Sequence, residues 1–284
     1  MTEVVSSENW APPSATLEKR DGIWQPHLAS AVSYPDDGND VCFQVEDSSY
    51  WFSHRNECIQ ALMSQFPPAG MFYDIGGGNG FVSLGLQRAG INVALLEPGS
   101  GARNAISRGV KHVICATLEN AEFLPGTLPA AGAFDVVEHI KDDVGFLTLI
   151  RSYLQPGGLF YCTVPSCAAL WSDEDIHAGH FRRYSCGSLT TNLQRAGFEV
   201  EFVSPFFAWL SPAVFLLRTL PFRLRGNRAT SFGQVKAVKN DHTLPAMMRH
   251  PAELLHAWEL SRLRRRRTIP FGTSLLCVAR APLN

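Results

Sequence analysis

Three short stretches of this chain concentrate side chains that can do chemistry. The first is FYDIGGGNGFVS, Phe72 to Ser83, where an apolar run ends in Asp74 and opens into Gly76, Gly77, Gly78, Asn79 and Gly80. An acid at a strand end followed by a glycine loop is how a nucleotide-type cofactor site begins, because glycines let the backbone approach a ligand closely. The dinucleotide fingerprint G-x-G-x-x-G/A fits poorly, since Phe81 stands where a small residue must let helix pack on strand. A P-loop needs Gly-Lys-Ser/Thr, and this loop has no lysine. The second stretch is Asp135-Val-Val-Glu138-His139. The third, LWSDEDIHAGHFRRYS from Leu170 to Ser185, gathers Trp171, Asp175, His177, His180, Arg182, Arg183 and Tyr184. A histidine titrates near neutral pH and can take the proton from a hydroxyl nucleophile. His180 is the first candidate for that base, His177 the second and His139 the third. Arg182 and Arg183 can hold an anionic acceptor bidentately, with Trp171, Tyr184 and the upstream Trp51 as further acceptor contacts.

These residues need a scaffold that holds them at one edge, and the apolar pattern supplies one. Strands are expected at Met71–Ile75, Asn92–Leu96, His112–Ala116, Ala131–Val137, Leu159–Val164, Phe198–Val203 and Ser274–Ala279. Helices fall between them at Gly80–Ala89, Ala102–Arg108, from Asp142 to about Leu154, and at Ser188–Arg195. Repeated strand–helix units of this length mean an α/β domain with a mostly parallel sheet. Ligands in such sheets bind beyond the carboxyl ends of the strands, where all three stretches lie. A helix from Tyr50 to Phe66 precedes the first strand, and residues 1–40, rich in proline, read as extended arms and loops.

Asp74-x-Gly76-x-Gly78-x-Gly80 closely resembles motif I of the class I S-adenosylmethionine-dependent methyltransferases. That resemblance covers roughly residues 45–205 and the last strand. It implies a Rossmann-like, seven-stranded sheet with an N-terminal helical cap and a helical insertion between strands six and seven. The cofactor is phosphate-free and carries an ammonium, a carboxylate and a sulfonium. Asp74 can offset the ammonium, and Glu97, at the end of the second strand before Pro98, can accept the ribose hydroxyls. Thr117 and Leu118 are expected to flank the adenine, with Phe134 and Asp135 at the cofactor edge. LQPGGLFYCTVP resembles the family's turn into strand five, and YWFSHRN resembles the W-W-F-x-x-R segment of bacterial small-molecule methyltransferases. There Arg55 can pair with a carboxylate, while Trp51 and Phe52 either cap the cofactor or staple their helix to the sheet. Asp135 to His139 resembles the E-x-x-E-H of quinone-biosynthesis O-methyltransferases, with Asp in place of the first Glu, and no divalent metal is expected. The Leu170–Ser185 stretch resembles a signature of bacterial enzymes of glycan and lipid pathways.

The implied activity is methyl transfer to a small-molecule or lipid- or glycan-linked acceptor, at oxygen first. Alternatives are an N- or C-methyltransferase of a secondary metabolite, a nucleic-acid methyltransferase, or a binding protein that keeps only the cofactor site. No RRM or KH signature supports nucleic acid. The 284 residues, 45% hydrophobic and 18% charged, suit one globular core. Seven cysteines with no C-x-x-C pair and no basic, apolar leader point to a reducing, cytoplasmic setting. Charge is lopsided: residues 1–200 hold 12 Lys+Arg against 22 Asp+Glu, and residues 201–284 hold 13 against 4. Three parts follow: an arm and cap (1–66), a cofactor core (67–204 plus 268–284), and a basic, partly apolar insertion (205–267). In the insertion, FVSPFFAWLSPAVFLL runs from Phe202 to Leu217 without a charge, and Arg218, Arg223, Arg225 and Arg228 follow. That suits either a lid over the substrate or, through 205–228, peripheral contact with an anionic membrane at its inner face. A third reading docks the basic part on the acidic part of the same molecule.

Overall fold

The computed structural model describes residues 10–26, 43, 46, 47, 49–226 and 246–283. One nine-stranded sheet runs through it in the order β1-β2-β5-β4-β3-β6-β7-β9-β8. The expected seven strands are β3 (Phe72–Ile75), β4 (Val93–Leu96), β5 (His112–Ile114), β6 (Leu128–Phe134), β7 (Leu154–Pro165), β8 (Glu199–Phe206) and β9 (Ser274–Arg280). Strands β3 to β7 pair in parallel, and β9 lies antiparallel between β7 and β8. The carboxyl ends of β3, β4, β6, β7 and β8 therefore share one edge.

The expectation of seven strands and of loops over residues 1–40 needs correcting. β1 (Leu17–Arg20) and β2 (Ile23–Pro26) form an antiparallel hairpin, and Trp24 pairs with Ile114 to extend the sheet beyond β5. Asp21 and Gly22, both at positive φ (50° and 84°), form its two-residue turn. Aspartate-glycine suits such a turn because both residues tolerate that conformation.

Helices cover both faces of the sheet because successive strand residues point to opposite sides. α1 (Tyr50–Gln65) and α2 (Phe81–Arg88) bury Ile59, Leu62, Met63, Val82 and Leu86 against Phe72 and Tyr161 on one face. α3 (Ser100–Arg108) packs beside them through Ala102 and Ala105 on Leu95. The other face takes α4 (Asp143–Tyr153) and α6 (Cys186–Arg195), with Leu147, Ile150, Leu189 and Leu193 on Tyr73, Ala131 and Phe160. Asp142 caps α4 as expected, its carboxylate accepting from Gly145 N–H at 3.0 Å.

Between β8 and β9 stand α7 (Leu210–Val214), a π-helical turn at Phe215–Thr219, α8 (Leu220–Leu224) and α9 (Ala246–Leu263). Pro221 has no N–H for the carbonyl four residues before it, a local defect that a wider π-turn accommodates. The lower half of α9 joins the core through Leu260 and Leu263. Arg228 of the arginine group lies outside the described residues. Among the described residues, no helix is long and apolar enough to cross a membrane.

Candidate active site

Sharp turns end the strands at the shared edge. Gly76, Gly78 and Gly80 follow β3 at φ 69°, 54° and 76°, and Asp135, Cys167 and Phe207 follow β6, β7 and β8 at φ 57°, 63° and 59°. Left-handed backbone costs about 1–3 kcal/mol at a non-glycine residue, so three such turns on one edge mark a place where the chain is held for a purpose.

On the donor side the backbone makes the site. A Cβ on Gly76 would come within 2.7 Å of Val136, and one on Gly80 within 2.7 Å of Val110, so both glycines are required by their neighbours. Among the described residues, a Cβ on Gly78 would meet nothing within 4 Å, so this turn of the loop faces open space there. Beneath the loop, Asp74 is buried; Ser83 Oγ donates to its Oδ2 at 2.6 Å, and among the described residues its Oδ1 has no partner. Burial lifts the Asp74 carboxyl to about pH 6, against the pull of Ser83 and Arg55. Glu97 ends β4 beside the loop, and its Oε2 accepts from Gly78 N–H at 3.0 Å. Asn79 accepts from Asn104 Nδ2 at 2.9 Å and faces Glu46, which pairs with Arg108 at 2.8 Å. Burial raises the Glu46 carboxyl despite that arginine.

The remaining donor residues close around this loop. Arg55 Nη1 donates to Asp135, which also accepts from Thr163 Oγ1 at 3.0 Å. Its guanidinium sits 4.9 Å from the Trp51 ring centre and 5.2 Å from that of Phe52. Trp51 stacks in turn on Phe207, centroids 5.5 Å apart. Phe134 and Leu118 are buried, while Pro98 and Thr117 are half-buried in the turns after β4 and β5. The donor set suits S-adenosylmethionine. Among the described residues, Asp74 has a buried oxygen with no partner for a cationic group, the Gly78 face is open, and a carboxylate stands one strand away.

The acceptor side is built from side chains. His180 Nδ1 meets Asp175 Oδ1 at 2.9 Å, and its Nε2 lies 4.0 Å from Glu138 Oε1. The His139 ring packs edge-on, 4.8 Å from that of His180. Asp175 is held from three sides: it accepts from Arg183 Nε at 2.7 Å and Ser172 N–H at 2.9 Å as well as His180. Burial alone would raise its carboxyl, but His180 and Arg183 hold it below the usual range. Glu138 is raised well above that range by burial and then by the Asp135 charge. His139 is pushed down to about 4 by burial and by His180. An Asp–His pair of this kind fixes the proton on Nδ1 and leaves the Nε2 lone pair for a substrate. The ligand atoms of Glu138, His139 and His180 lie within 4.8 Å of one another, a spacing that could also take a divalent ion.

Other expected acceptor residues have different surroundings. Arg183 also donates to the Ser166 carbonyl at 3.1 Å. Arg182 bonds the Ile140 and Lys141 carbonyls at 3.0 and 2.7 Å and pairs with Asp143 at 2.9 Å. Tyr184 is buried, its hydroxyl donating to Asp143 at 2.8 Å. His177 is exposed at the end of α5 (Asp173–His177), and Trp171 is half-buried. Sequence reasoning missed the linkage of Arg55 to Asp135 and the bond of Asp175 to His180. The first joins residues 80 apart in the chain. The second was within reach, because Asp175 is an acid close to His180 in the same loop.

The insertion lies against this loop. Thr219 Oγ1 donates to the Leu170 carbonyl at 3.0 Å, Arg223 to that of Ala169 at 2.8 Å, Arg218 pairs with Glu174 at 3.1 Å, and Arg225 pairs with Asp173. The basic segment thus docks on acids of the same molecule, one of the three readings its charge allowed.

Comparison with known proteins bears on the family and the fold. A family described as a methyltransferase domain matches residues 51–203, more than half of the chain. A probable S-adenosylmethionine-dependent methyltransferase of Mycolicibacterium smegmatis is 34% identical over 70 residues, which span 24% of this chain and 27% of that relative. The chain thus spans about a quarter of the length of the curated relative it matches. A chain from the complex of the Haloferax volcanii Trm112 methyltransferase activator with its methyltransferase superimposes with a TM-score of 0.57 at 18% identity, covering 89% of this chain and 100% of that one. Phosphoethanolamine N-methyltransferase 2 of Haemonchus contortus, solved with S-adenosyl-L-methionine, gives 0.54 at 15% identity, covering 91% and 62%. At these identities the structures speak for the fold alone.

Proposed function

The chain belongs to the methyltransferase-domain family, and from that premise we propose that it carries the methyl group of S-adenosylmethionine to an oxygen of a small-molecule or lipid- or glycan-linked acceptor. When bound, the cofactor supplies a methyl group on a sulfonium, a good electrophile that needs alignment more than activation. On the donor side, Gly76 to Gly80 would hold the methionine part, Asp74 its ammonium, and Glu97 the ribose hydroxyls. Thr117 and Leu118 would flank the adenine, with Phe134, Asp135 and Pro98 closing the pocket edge. Arg55, aimed by Trp51 and Phe52, would balance the carboxylate, exchanging part of its pairing with Asp135.

The observation that supports oxygen as the acceptor atom is the Asp175–His180 pair. A hydroxyl must lose its proton as it attacks carbon, and Nε2 of His180 is the acceptor that the Nδ1–Asp175 bond leaves available. The resulting imidazolium would face Asp175 directly and Glu138 at 4.0 Å. His139, neutral because of its depressed pKa, would line the same space. Arg182, Arg183 and Tyr184, each with internal partners, serve this reading by fixing the loop rather than by gripping the acceptor. The insertion bonded to residues 169–174 would roof the cleft and keep water out. A neutral amine attacks through its lone pair and can shed its proton afterwards, so a base held in this way is needed more by a hydroxyl, and N-methylation is the weaker reading. The test follows a labelled methyl group from S-adenosylmethionine into an extract. His180→Ala should cut the rate by about 10²–10⁴-fold while S-adenosylhomocysteine affinity stays unchanged. An undiminished rate would move the base elsewhere.

A further inference from the structure

The helical segment from Leu210 to Leu224 has one side that the protein uses and one that it does not. Thr219 and Phe222 are buried against the body. Leu216, Leu217, Leu220 and Leu224 are 57%, 76%, 37% and 79% exposed. At 3.6 residues per turn, or somewhat more through the π-turn, these four fall within an arc of roughly 100°, so they form one continuous ridge. Scattered surface leucines need no explanation, but four on a single face, all pointing away from the core, do.

The ridge stands beside the acceptor loop. Its inner side is bonded to residues 169–174 through Thr219, Arg218, Arg223 and Arg225. Asp175 and His180 follow directly in that loop, and Ile176 and Phe181, next to each of them, are 41% and 53% exposed. The rim of the cleft is therefore apolar on the loop as well as on the helix.

The charge pattern selects the partner. Between Leu210 and Gly226 there are three arginines, Arg218, Arg223 and Arg225, and no acid. On a helical wheel Arg223 borders the leucine arc at one edge, and Arg225 and Arg218 lie roughly 80–100° beyond the other, between the ridge and the buried Phe222. The side chains of Arg218 and Arg225 keep 33% and 45% exposure while paired, so they can still reach an anion. An apolar ridge with cations on both sides is the pattern of a helix lying in a membrane interface. A protein partner would not require the arginines, and a water-facing lid would not require the leucines.

We infer that this ridge docks the enzyme on an anionic phospholipid bilayer, with the mouth of the acceptor cleft turned toward the lipid. The acceptor is then an amphiphile, its polar head reaching His180 while its apolar chain stays in the bilayer. This rests on the reading of His180 as the acceptor-side base, and it narrows that reading to lipid-linked substrates.

The test is flotation of the full-length protein with vesicles of phosphatidylcholine and phosphatidylglycerol, beside vesicles of phosphatidylcholine alone. Wild type should float with the anionic vesicles at low salt (about 0.05 M) and less so in about 0.5 M salt, where the Debye length is roughly threefold shorter. The double variant Leu217→Gln, Leu224→Gln should bind at least about tenfold more weakly, since both side chains leave the lipid. These positions are exposed, so its melting temperature and S-adenosylhomocysteine affinity should match wild type. No flotation of wild type at low salt, or equal flotation of the double variant, overturns the inference. So does a leucine-dependent dimer in sedimentation equilibrium, which would make the ridge a contact between copies. Calorimetry with S-adenosylhomocysteine separates the two readings: binding without flotation leaves the methyltransferase reading standing, and flotation without binding leaves only the docking surface.

Discussion

On the proposed reading, the donor and acceptor halves of the site solve different problems with different material. The donor half, after β3 and β4, is made of backbone: glycines at positive φ, one buried acid under the loop and one acid across from it. The acceptor half, after β6 and β7, is made of side chains locked to one another, Asp175 to His180, Arg183 and Ser172, with Glu138 behind. A shared cofactor can be gripped by conformation, which many sequences reproduce. An acceptor needs a particular proton carrier and a particular surface, which vary with the substrate. The difference can be tested by perturbing each half and reading donor binding and turnover separately.

The largest effect should come from the acceptor half. His180→Ala is expected to lower turnover by about 10²–10⁴-fold and leave donor affinity alone; a parallel loss of both would erase the distinction between the halves. Asp175→Asn should destabilise the fold by about 3–5 kcal/mol, because Asp175 is buried and Arg183, its side chain 9% exposed, loses its partner. Chemical denaturation measures this, and a change within error would mean that the pair is not what fixes the loop. Gly78→Val belongs to the donor half. With φ at 54° and open space ahead of its Cβ, it should weaken S-adenosylmethionine by roughly 100-fold, about 2.7 kcal/mol, and lower the melting temperature by several degrees, since valine at positive φ costs about 1–3 kcal/mol.

The legible part of the protein was the part built from pattern. The alternation of apolar runs located every strand from β3 to β9 and the loop after β3, because a parallel sheet buries each strand on both faces. The hairpin of β1 and β2 was missed although Asp21-Gly22 between two short runs is a turn signal; the prolines around it obscured the strands. Candidate residues were legible by type, yet their partners were not. Nothing in the sequence shows that Arg182 and Tyr184 both meet Asp143, or that Arg55 crosses to Asp135. Those contacts depend on how loops from separate strands turn at the edge, and three of the turns use non-glycine residues at positive φ. The charge-free stretch ahead of Arg218 left lid and membrane equally open, and the side-chain exposure along α7 and α8 is what separates their faces.

The smallest effect sharpens the donor half alone. Asp74, raised to about 6 by burial, is ionised above that value and protonated below it. On the proposed reading, its attraction for the cofactor's ammonium would be present at pH 7 and lost as pH falls through 6. Between pH 7 and pH 5 the ionised fraction drops from about nine-tenths to about one-tenth, so affinity should fall roughly tenfold. Asp74→Asn should flatten that profile; an unchanged slope in the variant would assign the dependence to another group.

The most direct test of the central claim is calorimetric titration of the purified protein with S-adenosylmethionine and S-adenosylhomocysteine, beside NADH. Saturable binding of both at one site per chain, with no heat from NADH, is the predicted result. Binding of NADH with neither sulfur ligand would contradict the assignment of the Asp74–Gly80 loop and the activity built on it.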